Sequence, residues 1–178
     1  SGTPTLTLQI GSTPVNATYK SGSGTNTLTF TYTILAGQTD ADGISINANA
    51  LTLNGGTIVD SAGNTATITH LTVVDNASYK VDAINPTISS VALTDATGIT
   101  NTYLNAGDTV TATVTMSEVV TVSTTSGTPT LALKIGSDTV NATYKSGSGT
   151  NKLLFTYTIL ATQTDANGIS IEAGNLSL

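Results

Sequence analysis

A 53-residue block that occurs twice constrains this chain more than any single motif in it. Residues 1–53 return at 126–178, opening again on Ser-Gly-Thr-Pro-Thr-Leu and differing at 12 of 53 positions. Duplication at a fixed offset, here 125 residues, marks an array in which one unit is stacked to cover distance. A unit of that length can bury its own core. The 178 residues then hold one period and part of another, so the numbering is expected to begin and end inside a unit.

Within the period the hydrophobic pattern alternates every second residue. In Thr25 to Leu35, Leu28, Phe30, Tyr32 and Ile34 alternate with Thr27, Thr29, Thr31 and Thr33, which predicts a half-buried strand. The same alternation runs through Leu6, Leu8 and Ile10, through Val110, Ala112, Val114 and Met116, and through Leu131, Leu133 and Ile135. Thr on the wet face suits a strand. No stretch shows apolar spacing at 3.6, so no substantial helix is expected. Turn chemistry separates the strands at Ser21 to Asn26, Thr39 to Gly43, Leu53 to Gly56, Asp60 to Asn64 and Asn105 to Asp108. Short strands with turns at this spacing predict an all-β sandwich of about seven antiparallel strands per unit.

The segment Val81 to Ser90 interrupts the pattern with Asp82, Asn85 and Pro86. A proline ahead of a new strand fixes its own φ and holds its predecessor extended. The expected boundary lies near Ala83, with a linker at 81–87. Residues 1–83 form the C-terminal part of one unit, and 84–178 the N-terminal part of the next.

Composition excludes several functions. There is no Cys, which removes disulfides and thiolate metal sites. A net charge of −6, with all five basic residues Lys, makes nucleic acid or an anionic membrane a poor partner. No 18-residue apolar run or basic-then-apolar leader occurs, so neither a membrane span nor a signal peptide is expected within these residues. His70 is the single His, so no Ser/His/Asp or two-His site can form inside the chain. Aromatics are 4%, too few to suggest a walled substrate pocket. No enzymatic activity is expected.

Taken in order, Ile84 to Gly98, Ala106 to Val122, Gly127 to Leu131, Ser21 to Ile34, Ala41 to Ile46 and Leu51 to Asn64 resemble the bacterial immunoglobulin-like repeats of giant surface adhesins of the biofilm and RTX type. The linker Val-Asp-Ala-Ile-Asn-Pro at 81–86 is a near match to the family's linker. The resemblance implies tandem immunoglobulin-like sandwiches, extracellular display, and a spacer role holding a distal binding region away from the cell. Calcium at domain junctions is a further implication.

Tracing strands between the two poles of such a sandwich places Asp40, Asp42, Asp82 and Glu118 as candidates to converge on one junction. Hard carboxylate and carbonyl oxygens suit Ca²⁺, which accepts six to eight of them. The second copy carries Asp165 and Asn167 where the first has Asp40 and Asp42, so junctions are expected to differ in affinity. Against metal binding, Asp and Asn cap turns by bonding their own backbone, and Asp60 and Asn64 are read that way. His70 is expected as a strand side chain. Lys20 and Lys145, candidates for a covalent staple to a buried carboxyl and Asn, adjoin a Gly/Ser turn and are expected to be solvated. Asn16, Asn76, Asn141 and Asn175 fit glycosylation sequons, a pattern that a chain rich in Asn, Ser and Thr produces by chance.

The leading functional expectation is a structural extender whose partners are neighbouring repeats. The alternative is a filament subunit that polymerises by β-strand complementation between copies. A sugar- or receptor-binding tip module fits less well, since there is no Trp and the chain copies itself.

Overall fold

The alternating segments form strands, and no helix occurs among the described residues. The computed structural model describes residues 2–174, 176 and 177; Ser1, Asn175 and Leu178 lie outside the described residues, the Asn175 sequon with them. The architecture is all-β and antiparallel, in the sandwich-like arrangement of an immunoglobulin-like domain. The chain divides into two units, Ser1–Asn85 and Pro86–Leu178.

Unit 1 contains β1 (Thr5–Ile10), β2 (Thr13–Ser21), β3 (Thr29–Thr31), β4 (Thr39–Asp40), β5 (Leu51–Thr52) and β6 (Val81–Asp82). One sheet has the order β3-β2-β1-β5, and β4 pairs with β6. These are the six strands of unit 1 among the described residues. Residues 54–80 carry turns and isolated bridges, such as Ile46 with Val73 and Val59 with Thr65. His70 accordingly lies outside any named strand.

Unit 2 contains β7 (Ile88–Thr97), β8 (Thr109–Val120), β9 (Thr130–Ile135), β10 (Asp138–Ser146), β11 (Thr150–Thr158) and β12 (Leu176–Ser177). They form one sheet, β12-β9-β10-β11-β8-β7. Register aligns the apolar residues of successive strands. Val114 faces Leu153, Ala112 faces Phe155, Tyr144 faces Phe155, and Ala142 faces Leu131. Because side chains alternate, such pairs share one face of the sheet. Val110, Ala112, Val114, Leu131, Leu133, Ala142, Leu153 and Phe155 are the buried core. Ile169, Ile171 and Leu176 pack onto it from the end of the chain.

The duplicated block therefore folds twice in different surroundings. The hairpin β1–β2 reappears as β9–β10 with the same pairing, Leu8 to Val15 and Leu133 to Val140. The next strand does not. The sequence predicted a strand across residues 25–35, and β3 covers Thr29–Thr31 where β11 runs Thr150–Thr158. The cause is the neighbour on the far side: β11 lies between β10 and β8, whereas β3 pairs with β2 alone. A strand with ladder bonds along one edge only gains half the pairing.

Candidate functional site

The polar features common to both copies gather where the β1–β2 turn meets the Thr-Asp-Ala-Asp-Gly turn. Asp40 accepts the Gly11 N–H at 2.7 Å on Oδ2 and the Gly43 N–H at 2.7 Å on Oδ1. It is 3% exposed. The Gly11 bond most strongly holds its carboxyl below the ordinary aspartate value; burial opposes this, and the bonds from Gly43 and Asp42 add to it. Bonding to the charged form stabilises that form.

The second copy rebuilds this staple. Asp165 accepts Gly136 N–H at 2.9 Å, Asn167 N–H at 3.1 Å and Gly168 N–H at 2.9 Å. Its carboxyl too is lowered, by the Gly136 bond first. Asp165 is half-buried where Asp40 is buried. In unit 1, β6 lies against β4, with Val81 opposite Asp40 and Asp82 opposite Thr39.

That ladder also decides where the candidate calcium ligands stand. Asp40 and Val81 are buried, while Thr39 and Asp82 are exposed, so the Asp40 and Asp82 side chains project to opposite faces. Asp82 accepts the Ile84 N–H at 3.3 Å, the local bond typical of Asx turns. Asp42 is exposed in the turn after β4, and Glu118 lies half-buried in β8 of unit 2. Among the described residues of either unit, no three His, Cys, Asp or Glu side chains gather as a metal-binding group.

The remaining polar residues hold local structure. Asp60 accepts Asn64 Nδ2 at 2.8 Å, Asn64 N–H at 2.8 Å and Ala62 N–H at 2.9 Å. The Asn64 side chain leads in lowering the Asp60 carboxyl. His70 Nε2 accepts the Ala50 N–H at 2.9 Å, and Nδ1 lies 2.8 Å from the Leu71 carbonyl; together these contacts correspond to the Nδ1–H tautomer, donating to Leu71. The single His thus ties the 70–74 stretch to residues 49–50. Lys20 and Lys145 are exposed.

Sequence reasoning did not single out the staple, although the signal was available. Gly11 and Asp40 recur as Gly136 and Asp165 at the same 29-residue separation. The linker is pinned on each side within its own unit. Ala83 donates to the Gln38 carbonyl at 2.9 Å and accepts from Gly37 at 2.8 Å, while Thr87 bonds Ser117 through both its N–H and its carbonyl. Only Ile84, Asn85 and Pro86 separate these anchors.

No protein-family model, curated protein or solved structure matches the chain.

Proposed function

We propose that the chain is a structural extender, a tandem-repeat segment of a long extracellular surface adhesin whose function is reach. One observation carries this reading: two nearly identical blocks build the same hairpin and the same carboxylate staple, and the chain between units has only three residues outside its anchors. A short linker containing Pro86 loses little hinge entropy on straightening, so successive units hold the array extended. Chains carrying two, three and four periods test it by small-angle scattering. An extender lengthens by a constant increment per period, whereas a maximum dimension that saturates would refute it.

Calcium binding by carboxylates such as Asp42 and Asp82, both exposed in unit 1, belongs to this proposal. A melting temperature raised by Ca²⁺ and lowered by chelator supports that part, and no change removes it.

A second reading is assembly by β-strand complementation, in which a strand of one chain pairs with a strand edge of another. Sedimentation that rises with concentration would support it. A constant monomer from micromolar to millimolar concentration would oppose it.

A further inference from the structure

The turn that carries the staple holds the same fragile bond in both copies. Asp42–Gly43 and Asn167–Gly168 are Asx–Gly pairs at matching positions, and in such a pair the glycine nitrogen can attack the side-chain carbonyl carbon of the residue before it. At Asn167 the Gly168 nitrogen would bond to Cγ, its proton would leave with the side-chain amide as ammonia, and water would open the succinimide to Asp or isoAsp. At Asp42 the same ring forms with loss of water and reopens with water.

The glycine cannot be exchanged to escape this reaction. Gly43 has φ +107° and Gly168 φ +95°, a region that L residues rarely occupy, and a Cβ on Gly43 would also collide with the Asn76 carbonyl oxygen. The shape of the turn therefore imposes the bond.

Both copies place a carboxylate against the nitrogen that must react. Asp40 Oδ1 accepts the Gly43 N–H at 2.7 Å, and Asp165 Oδ1 accepts the Gly168 N–H at 2.9 Å. Attack requires that nitrogen to give up its proton and become anionic, which a neighbouring negative charge opposes. Each carboxyl is held below the ordinary aspartate value, so it is charged wherever the nitrogen can ionise. Geometry adds a second restraint. Asp165 Oδ1 also accepts the Asn167 N–H at 3.1 Å while Oδ2 accepts from Gly136 at 2.9 Å, so an anchored carboxylate grips both amides that flank the Asn167 side chain. Turning Asn167 toward ring closure pulls the Gly168 N–H off Oδ1.

We propose that Asp40 and Asp165 are protecting residues, each suppressing succinimide formation at the Asx–Gly bond it grips, and that Asn167 is a deamidation site exposed when the grip is lost. Conversion to Asp gives position 167 the residue that the first copy carries at 42, whereas isoAsp lengthens the backbone and misplaces the Gly168 N–H.

The test incubates the full chain in mildly alkaline buffer and follows Asn167 by peptide mapping and mass spectrometry, beside a synthetic peptide of residues 160–172. The folded chain is expected to deamidate at Asn167 more slowly than the peptide by about tenfold to a hundredfold, the scale of a hydrogen bond to a charged group. Asp165→Asn keeps an acceptor oxygen and removes the charge. It is expected to recover most of that gap while amide exchange at Lys134 and Ser170, which bond each other beside the turn, stays slow. Equal rates in chain and peptide overturn the proposal, as does an Asp165→Asn rate equal to that of the unaltered chain. If Ser170 exchange also quickens in that variant, Asp42→Asn with and without Asp40→Asn repeats the comparison in unit 1, where the β4–β6 ladder braces the turn. Faster deamidation at position 42 in the double variant supports the protecting role, and equal rates overturn it.

Discussion

Residues 28–34 and 153–159 are a natural experiment in context. Leu28, Phe30, Tyr32 and Ile34 are chemically the same as Leu153, Phe155, Tyr157 and Ile159. Phe155 is 0% exposed and Ile159 5%, yet Phe30 is only half-buried and Ile34 is 39% exposed. The difference is β8, which lays Val110, Ala112 and Val114 against β11; at the 125-residue offset its counterpart beside β3 would fall ahead of residue 1. A period-2 pattern therefore specifies which residues can be buried. Whether they are buried depends on a strand that is remote in sequence.

The comparison is sharpened most by truncating the shared phenylalanine. Phe155→Ala is expected to cost unit 2 about 3–5 kcal/mol, as for a fully buried aromatic. Phe30→Ala should cost unit 1 about 1–2 kcal/mol, in proportion to its smaller burial. Denaturant titration read unit by unit through amide exchange checks both. Equal losses would break the comparison.

Hydrogen exchange of the unaltered chain tests the same contrast without mutation. Amides of 152–158 should exchange more slowly than those of 27–33 by about tenfold or more, since a second ladder must open to expose them. Similar rates would mean that pairing with β8 adds little.

Smaller effects should be insensitive to context. Tyr19 and Phe30 meet edge to face at 5.9 Å, as Tyr144 and Phe155 do at 5.8 Å. The Tyr19 hydroxyl accepts Ser23 N–H at 2.7 Å, and that of Tyr144 accepts Ser148 N–H at 2.8 Å. Tyr19→Phe and Tyr144→Phe should each cost about 0.5–1.5 kcal/mol, the scale of one hydrogen bond, and by similar amounts. A large asymmetry in thermal melts would show that context reaches even this local bond.

Acid should produce the mildest difference near neutrality. Asp40 and Asp165 are both held below 3.8 in the folded chain. Their contribution is present above that value and is lost as pH falls through the lowered folded-state value. The melting temperature is expected to be level from about pH 7 to 5 and to fall below about pH 4. Asp40→Asn and Asp165→Asn should each flatten that fall, Asp40→Asn more, because Asp40 is covered by Val81 and its strand. An unchanged acid slope in both variants would remove the staple from the account.

The strands with strong alternation, β1, β8 and β9, were legible, as were the turns at Asp60 to Asn64 and Asn105 to Asp108. The separation of Asp40 from Asp82 was not. Tracing strands between poles brings both to one junction, yet the one-residue offset between Asp40–Val81 and Thr39–Asp82 sends their side chains to opposite faces. Register is a property of two strands together, and spacing along one chain does not contain it. The staple was half legible, since its residues recur at constant separation while their roles appear only when the Gly11 turn folds over β4.

Sequence alone determined the repeat, the all-β class and the apolar face of each strand, because alternation and turn residues act over a few neighbouring positions. Tertiary structure decided which copy of the block is covered. The hairpin is flanked by β11 and β12 in unit 2 and by β3 and β5 in unit 1, and β8 adds a strand beyond β11 whose counterpart, at the 125-residue offset, would fall ahead of residue 1. Burial is set by the strand that arrives from elsewhere in the chain, and two nearly identical sequences cannot encode that difference within themselves.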